Sequence, residues 1–174
     1  MKKFSSNQKG FTLVEMLVAS LIFSIIVLAV SEIFVTVLTN QRRAFAAQQI
    51  EESGQFAMEL MAREIRVSDI TDQDSTDCSA TTLTIDHPVN GTVVYSLNSG
   101  VLQRTADGVT TDISSSEVKF SRLNFCVTGS GPTDQEQARV AILAAVQNKS
   151  GRDTLTFNLE TTVTSRNVTS ELQQ

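Results

Sequence analysis

Proline and glycine are nearly absent from the first half of the chain. No proline precedes Pro88, and Gly54 is the only glycine between Phe11 and His87. Because proline breaks helices and an interior glycine weakens them, this scarcity allows one uninterrupted helix over an unusually long stretch. The 174 residues are enough for one domain of moderate size and too few for two domains of typical size.

Residues that carry catalysis or bind metals are also scarce. His87 is the only histidine, and it lies beside Pro88 with no paired nucleophile in sequence, which argues against catalysis. The two cysteines, Cys78 and Cys126, are 48 residues apart, whereas zinc sites bring their ligands in close pairs. The chain has neither a phosphate-binding glycine loop nor a nucleophile elbow. We therefore predict that the protein is not an enzyme and needs no cofactor.

Acidic residues outnumber basic ones. The chain has 14 Lys and Arg residues against 19 Asp and Glu residues, a formal net charge of −5. Three of the basic residues, Lys2, Lys3 and Lys9, precede residue 10, so removing that segment leaves 11 against 19, or −8. An acidic exposed part argues against direct binding of nucleic acid, because phosphate contacts need a basic face.

The longest uncharged block is apolar. Residues 11–38 hold most of the long aliphatic side chains, and no residue between Met16 and Ser31 is charged. At 1.5 Å per residue, a helix over residues 11–38 would be about 42 Å long, enough to cross a bilayer with its interfaces. Three lysines precede this block and no lysine follows it closely, which predicts a cytoplasmic amino terminus.

One acidic residue lies inside this block, near its start. Glu15 would cost about 2.5–3.5 kcal/mol as an ionised carboxylate in a membrane, and intramembrane acids normally have a partner. No basic residue occurs from Phe11 to Gln41. If the chain were cut before Phe11, the α-amine of Phe11 would supply the positive charge, either within the same chain or from a neighbouring subunit. Pairing with a neighbouring subunit would make Glu15 an assembly device. Glu32 lies roughly 32 Å along the helix from Phe11, near the far interface, where it reaches water.

A short basic leader is followed by Gly10-Phe11-Thr12-Leu13-Val14-Glu15 and then by the long apolar run. This arrangement resembles the cleavage and methylation site of the type IV pilin family, which includes major pilins, minor pilins and the pseudopilins of type II secretion and DNA-uptake systems. In that family an inner-membrane aspartic protease, the prepilin peptidase, cuts after the glycine and methylates the new amino terminus. The resemblance implies cleavage after Gly10, methylation of Phe11, and pairing of Glu15 with a neighbour's amino terminus during assembly. It implies the prepilin peptidase, other pilin or pseudopilin subunits and the inner membrane as partners.

A conventional signal peptide is the alternative for this segment. Its apolar core usually has about 7–15 residues and ends in small residues, a pattern that Ala29-Val30-Ser31 fits. The apolar run continues past that point to Leu38, however, and Glu15 would lie inside the core. We therefore favour a leader followed by a retained apolar helix.

The residues after the apolar block predict a second helical half. Residues 39–69 are rich in helix-forming residues. Apolar residues recur there at helical spacing, at Ile50, Ala57, Met61 and Ile65, and the stripe is widened by Phe56, Leu60 and Val67. We predict one continuous helix from about Phe11 to Val67, with this stripe facing a sheet.

After Ser68, short alternating apolar runs separated by turn residues predict five to seven strands. Asn98-Ser99-Gly100 predicts a hairpin turn, and residues 118–127 predict a longer strand with one irregularity. Residues 139–146 fit a helix or a strand, and we favour a strand because residues 155–163 then supply its antiparallel mate. We predict an α+β, pilin-like fold: a long N-terminal helix, transmembrane and then amphipathic, packed on a mostly antiparallel sheet. The predicted parts are a leader (1–10), a transmembrane half (11–38), an amphipathic half (39–69) and an extracytoplasmic β-rich domain (70–174).

Two further groups of residues are weaker candidates for sites. Asp72, Asp74 and Asp77 lack the glycine and trailing acid of a calcium loop, so we interpret them as a solvated acidic loop rather than a metal site. If the domain lies outside the cytoplasm, a disulfide between Cys78 and Cys126 would add roughly 3–4 kcal/mol by restricting the unfolded chain. Two buried free thiols are the alternative.

Within the family, the chain resembles the J-type minor pseudopilins of type II secretion and the W-type minor pilins of type IV pili. The similarity lies in the segments 63–66, 101–104 and 161–167. The helix lacks the mid-span proline usual in major pilins, and the retained Glu15 argues against the K-type tip subunit. The resemblance implies a bacterial inner-membrane protein, with its C-terminal domain periplasmic or extracellular, that helps to nucleate a filament at or near its tip. An anchored extracytoplasmic binding domain that never assembles is the alternative.

Overall fold

The computed structural model describes residues 10–131, 136–149 and 153–166. It divides into two compact units, Met1–Arg42 and Arg43–Gln174. Two predicted parts lie partly outside the described residues: the leader at residues 1–9, and the β-rich domain at residues 132–135, 150–152 and 167–174.

One helix, α1, runs from Leu13 to Val67 and supplies residues to both units, as the scarcity of proline and glycine predicted. In the first unit every described residue from Gly10 to Arg42 is exposed, including a dense run of large aliphatic side chains. By length and composition, α1 is the one helix among the described residues that is long and apolar enough to cross a membrane. A continuous apolar surface of this length is consistent with membrane anchoring.

The described part of the second unit contains eight strands in two antiparallel sheets. They are β1 (Ser75–Ala80), β2 (Leu83–His87), β3 (Gly91–Asn98), β4 (Val101–Ala106), β5 (Val109–Asp112), β6 (Val118–Thr128), β7 (Arg139–Asn148) and β8 (Thr156–Thr164). The first sheet is a meander in the order β2-β3-β4-β5, and the second has the order β1-β6-β7-β8. The chain therefore starts the second sheet at β1, leaves it to build the meander, and returns at β6, which pairs with β1.

Local features of the strands follow from the residues that were singled out in the sequence. Ser99 and Gly100 have φ values of 52° and 85°, and they join Asn98 to its partner Val101 in a two-residue hairpin turn. Two positive φ angles are the requirement of the turn type that matches strand twist, so the predicted hairpin is confirmed. The register of β6 against β7 shifts once, between Phe120 and Arg122, which confirms the predicted irregularity. The predicted strand at residues 139–146 is β7, and its mate is β8.

The amphipathic half of α1 packs on the two sheets and completes their core. The four stripe residues Ile50, Ala57, Met61 and Ile65 are fully buried. They pack in one cluster with residues from both sheets, among them Ile85, Val93, Tyr95, Leu102, Phe120, Phe125, Val140, Ile142 and Val146. Burial of each large apolar side chain contributes about 1.5–3 kcal/mol, so the helix is held mainly by this face. The α+β, pilin-like architecture is confirmed.

Three details of the prediction were wrong. Phe56 and Val67 do not widen the buried stripe, because they are 59% and 45% exposed. They lie about 140° and 120° around the helix from Met61, which is on the buried face. The strand count is eight rather than five to seven. Strand β5 is exposed along its whole length, and β1 has no buried residue, so neither shows the apolar alternation that marks a half-buried strand. Asp77 accordingly lies in β1 and not in a loop.

Candidate functional site

The start of α1 is capped by Thr12. Its Oγ1 accepts a hydrogen bond from the backbone N–H of Glu15 at 3.3 Å, and its carbonyl accepts one from the N–H of Met16 at 3.2 Å. A threonine side chain here satisfies an N–H of the first turn that has no partner within the helix. Gly10 and Phe11 precede the cap and are exposed, with Phe11 at 79%. The bond between Gly10 and Phe11 therefore lies outside the helix, on exposed chain.

Glu15 is the third residue of α1 and lies in its first turn. The spacing Thr12-x-x-Glu15 is that of a capping box, a signal that the sequence analysis passed over. A negative charge in the first turn also interacts favourably with the helix dipole. After Glu15, the first basic residue along the chain is Arg42, roughly 40 Å further along the helix. The carboxylate therefore has no cationic partner within residues 10–41, in a segment whose other side chains are mostly apolar.

A second polar site lies where the end of α1 meets the meander sheet. Arg104 Nε–H donates a hydrogen bond to Oε2 of Glu64 at 2.9 Å, and the Tyr95 hydroxyl donates to the same oxygen. Tyr95 on β3 and Arg104 on β4 are directly paired in register, so both side chains reach the helix from one face of the sheet. Tyr95 is fully buried, and the side chains of Glu64 and Arg104 are 11% and 19% exposed. We call these three residues the clamp.

The protonation states of the clamp are set by burial and mutual hydrogen bonding. Burial raises the pKa of Glu64, but the hydrogen bonds from Arg104 and Tyr95 outweigh it and hold that pKa below its ordinary value. Burial, and then the bond to Glu64, raises the pKa of Tyr95 well above its ordinary value. The bond to Glu64 also raises the pKa of Arg104. At neutral pH the clamp is thus an ion pair with a neutral phenol, which suits a structural role better than proton transfer.

The end of α1 is also tied to the end of β8. The Ser165 hydroxyl donates to the carbonyl of Ser68 at 2.7 Å, and both serines are buried. The backbone N–H of Arg166 donates to the carbonyl of Arg66 at 3.1 Å. Together with the clamp, these bonds bring together the segments 63–66, 101–104 and 161–166 on which the subtype resemblance was based; Asn167 lies outside the described residues. Sequence spacing did not predict this convergence.

Cys78 and Cys126 are joined by a disulfide in the structure. The bond links β1 to β6, which are neighbours in the second sheet, and it closes a loop of 48 residues that contains the whole meander. Both cysteines are half-buried. The disulfide holds the edge strand β1, which has no buried residue of its own, against the rest of the second sheet.

The carboxylates of Asp74 and Asp77, two of the three aspartates, accept hydrogen bonds from serines. Asp74 accepts bonds from the backbone N–H and the hydroxyl of Ser130, at 2.9 and 2.7 Å. Asp77 accepts bonds from the N–H and the hydroxyl of Ser79, and Asp72 is exposed with a φ of 55°. The bonds from Ser130 and Ser79 lower the pKa of Asp74 and of Asp77. Over the described ranges, no three His, Cys, Asp or Glu side chains are grouped closely enough to hold a metal ion.

His87 lies at the end of β2, at the turn into β3. Its Nδ1 accepts hydrogen bonds from the backbone N–H groups of Val89 and Asn90, at 3.2 and 3.1 Å. The imidazole therefore caps a turn.

Comparison with known proteins bears on the N-terminal segment. The family model described as the prokaryotic N-terminal methylation motif matches residues 5–31. This range contains Gly10, Phe11, Thr12 and Glu15, together with the first half of the apolar block. No curated protein and no solved structure matches the chain.

Proposed function

The chain carries the N-terminal methylation motif of the type IV pilin and pseudopilin family, and we propose from this premise that it is a minor subunit of a type II secretion pseudopilus or a type IV pilus. The motif points to a structural subunit rather than an enzyme, and to processing by the prepilin peptidase and assembly with other pilins in general. In our proposal the peptidase cuts between Gly10 and Phe11 and methylates Phe11.

The observation that carries the assembly step is the isolation of Glu15. Its carboxylate stands in the first turn of an apolar helix, with no basic residue from Phe11 to Gln41. An ionised carboxylate in lipid costs about 2.5–3.5 kcal/mol, which a cation from outside the helix would offset. The amino terminus of a neighbouring subunit supplies that cation when two processed helices lie side by side, displaced by a few residues.

Three further observations support the minor-subunit proposal and an extracytoplasmic domain. The helix has no mid-span proline, and the three segments on which the resemblance to J-type and W-type subunits rests converge at the end of α1. The disulfide fits an oxidising compartment. In this proposal the protein spans the bacterial inner membrane once, with its N-terminus in the cytoplasm, and then enters the filament at or near its tip.

The test is the replacement of Glu15 by Ala, with Glu32→Ala as the matched control. Both variants remove one acid from the apolar half of α1. We expect both to be inserted and cleaved, because neither change touches the bond between Gly10 and Phe11. Only Glu15→Ala should fail to appear in isolated filaments, or in cross-linked complexes with other filament subunits. Normal incorporation of Glu15→Ala would refute the pairing, and loss of both variants would show a general need for acids in the segment.

A further inference from the structure

Two arginines are neighbours where the end of α1 meets the end of β8. Arg66 is in the last turn of the helix, and Arg166 follows β8 by two residues. Their backbones are joined, because the N–H of Arg166 donates to the carbonyl of Arg66. Both residues are exposed. Over the described ranges the one ion pair is that of the clamp, so neither of these guanidinium groups has a carboxylate partner.

A basic residue in the last turn of a helix often has a simpler role, since it bonds the last carbonyl groups of the helix. At the end of α1 those carbonyls have other donors. Hydrogen bonds from Ser68, Ser165 or the Arg166 backbone are accepted by the carbonyls of Glu64, Ile65, Arg66 and Ser68. The two guanidinium groups are therefore not needed to satisfy the helix end.

The two arginines line an open pocket of about 470 Å³. Its polar lining also includes Thr162 and Thr164 of β8 and the side of Gln137, and no acidic residue is among the described residues that line it. Arg139 lies directly opposite Thr164 in register and brings a third positive charge to that face of the sheet. A guanidinium group matches a carboxylate with two parallel N–H donors, and hydroxyl and amide groups add further donors. The pocket thus has the donor set of a carboxylate site.

The pocket borders β8, which is an edge strand of the second sheet. The N–H of Ser165 donates towards β7, to the carbonyl of Ala138. Backbone groups of successive residues in an antiparallel ladder point alternately to the partner strand and away from it, so those of Thr162 and Thr164 point to the free edge. An extended peptide can add to such an edge as a further strand. A small anion would leave these backbone groups unused.

We propose that this pocket binds an acidic, extended segment of a partner protein. A carboxylate of that segment is bound by Arg66 and Arg166, and its backbone pairs with the free edge of β8. Charge complementarity indicates an acidic ligand, because the chain as a whole is acidic, with a formal net charge of −5, whereas this pocket is lined by basic and neutral residues. The inference goes beyond the proposed function and does not depend on processing or assembly of the helix.

The experiment measures the binding of a synthetic peptide to the full chain in detergent. The probe is a short peptide in which glutamate alternates with threonine, labelled with a neutral dye and followed by fluorescence anisotropy at low ionic strength. It should bind, and added salt should weaken the binding. Replacing every glutamate by glutamine should weaken it about tenfold or more, because the charge-assisted bonds are lost. Methylating all the backbone nitrogens should also weaken it, because the donors for strand pairing are lost.

Variants of the chain locate the binding. Arg66→Gln and Arg166→Gln should each weaken binding of the glutamate peptide about tenfold, and the double variant should reduce it to background. Arg66→Lys keeps the charge and should lose less than Arg66→Gln. The matched control is Arg43→Gln, which changes an exposed arginine about 35 Å before Arg66 along α1 and should leave the binding unchanged. Each variant should keep the parent's unfolding midpoint in urea, followed by the fluorescence of Tyr95, because the changed side chains are exposed.

Several results would overturn the inference. They are no binding of the glutamate peptide, equal binding of the glutamine peptide, and undiminished binding by folded Arg66→Gln and Arg166→Gln variants. Competition by inorganic phosphate at the concentration at which the peptide itself binds would indicate a small-anion site instead. Dimers of the full chain that the double variant disperses would make the occupant a second copy and not a partner protein. None of these results affects processing at Phe11 or entry into filaments, so the inference can fail while the proposed function stands.

Discussion

Replacing Arg104 with Leu is expected to destabilise the second unit by about 2–3 kcal/mol. The change removes the only cation that bonds to the Glu64 carboxylate in the described structure. Breaking a buried ion pair by removing one partner costs about 3–5 kcal/mol. Glu64 and Arg104 keep 11% and 19% of their side-chain surface in water, and Tyr95 still donates to Glu64, so the cost falls at or below the lower end of that range.

The chain offers its own probe for this measurement. Tyr95 is the only tyrosine and there is no tryptophan, so tyrosine fluorescence reports from inside the clamp itself. Urea unfolding of the full chain in detergent, followed by this signal, should show a lower midpoint for Arg104→Leu. The control is Arg122→Leu on β6, an exposed arginine with one long contact at 3.4 Å to Asn158, which should change the stability by no more than about 0.5 kcal/mol.

A second variant separates the lost charge pair from lost packing. Glu64→Gln combined with Arg104→Leu removes both charges and keeps an acceptor for the Tyr95 hydroxyl. It should recover the stability to within about 1 kcal/mol of the parent chain, because an unpaired buried charge no longer exists. If the double variant is as unstable as Arg104→Leu alone, or if Arg104→Leu behaves like the control, the clamp does not work as described.

The same pair predicts a pH dependence. The pKa of Glu64 is lower in the folded chain than in the unfolded one, so its contribution is fully present above the unfolded value, about 4.3. It is lost as the pH falls through the folded value. The parent chain should therefore lose stability below about pH 4.5 more steeply than a Glu64→Gln variant does.

Three further predictions use the same unfolding measurement or a direct titration. Reducing the bond between Cys78 and Cys126, or replacing both with Ser, should lower the stability by up to about 4 kcal/mol, because the bond closes a loop of 48 residues. In an absorbance titration Tyr95 should ionise near pH 10 only when the chain is unfolded in urea, because its pKa is raised in the folded chain. The stability that Tyr95 contributes is therefore lost as the pH rises above 10 towards its folded pKa. Gly54→Val should cost about 1–3 kcal/mol, since a Cβ there would collide with Leu159 Cδ1, and Leu159→Ala in the same chain should relieve part of that cost.

The features that depend on local sequence patterns could be predicted from the sequence. The absence of proline and the single glycine at position 54 predicted the 55-residue helix, and Ser99-Gly100 predicted the hairpin, because each depends on the conformational preferences of nearby residues. The methylation motif around Gly10 and Glu15 was predicted from the residues of that segment alone, and the family model that matches residues 5–31 covers it.

The features that were missed depend on contacts that are distant in the chain. The clamp joins Glu64 to residues 31 and 40 positions away, and nothing in their spacing indicates that β3 and β4 carry them to the helix. One signal was present: Glu64 lies three residues after Met61 and seven after Ala57, so a charged residue occupied the predicted buried face. A charge in that place requires a partner, and Arg104 was available.

The most direct test of the proposed function is the mass and N-terminal sequence of the mature, membrane-bound protein. We predict a chain that starts at an N-methylated Phe11 and lacks the first ten residues. A chain that starts at Met1 would indicate an uncleaved anchor, and a start near Glu32 would indicate a conventionally secreted domain; either result would contradict assembly through a processed pilin helix.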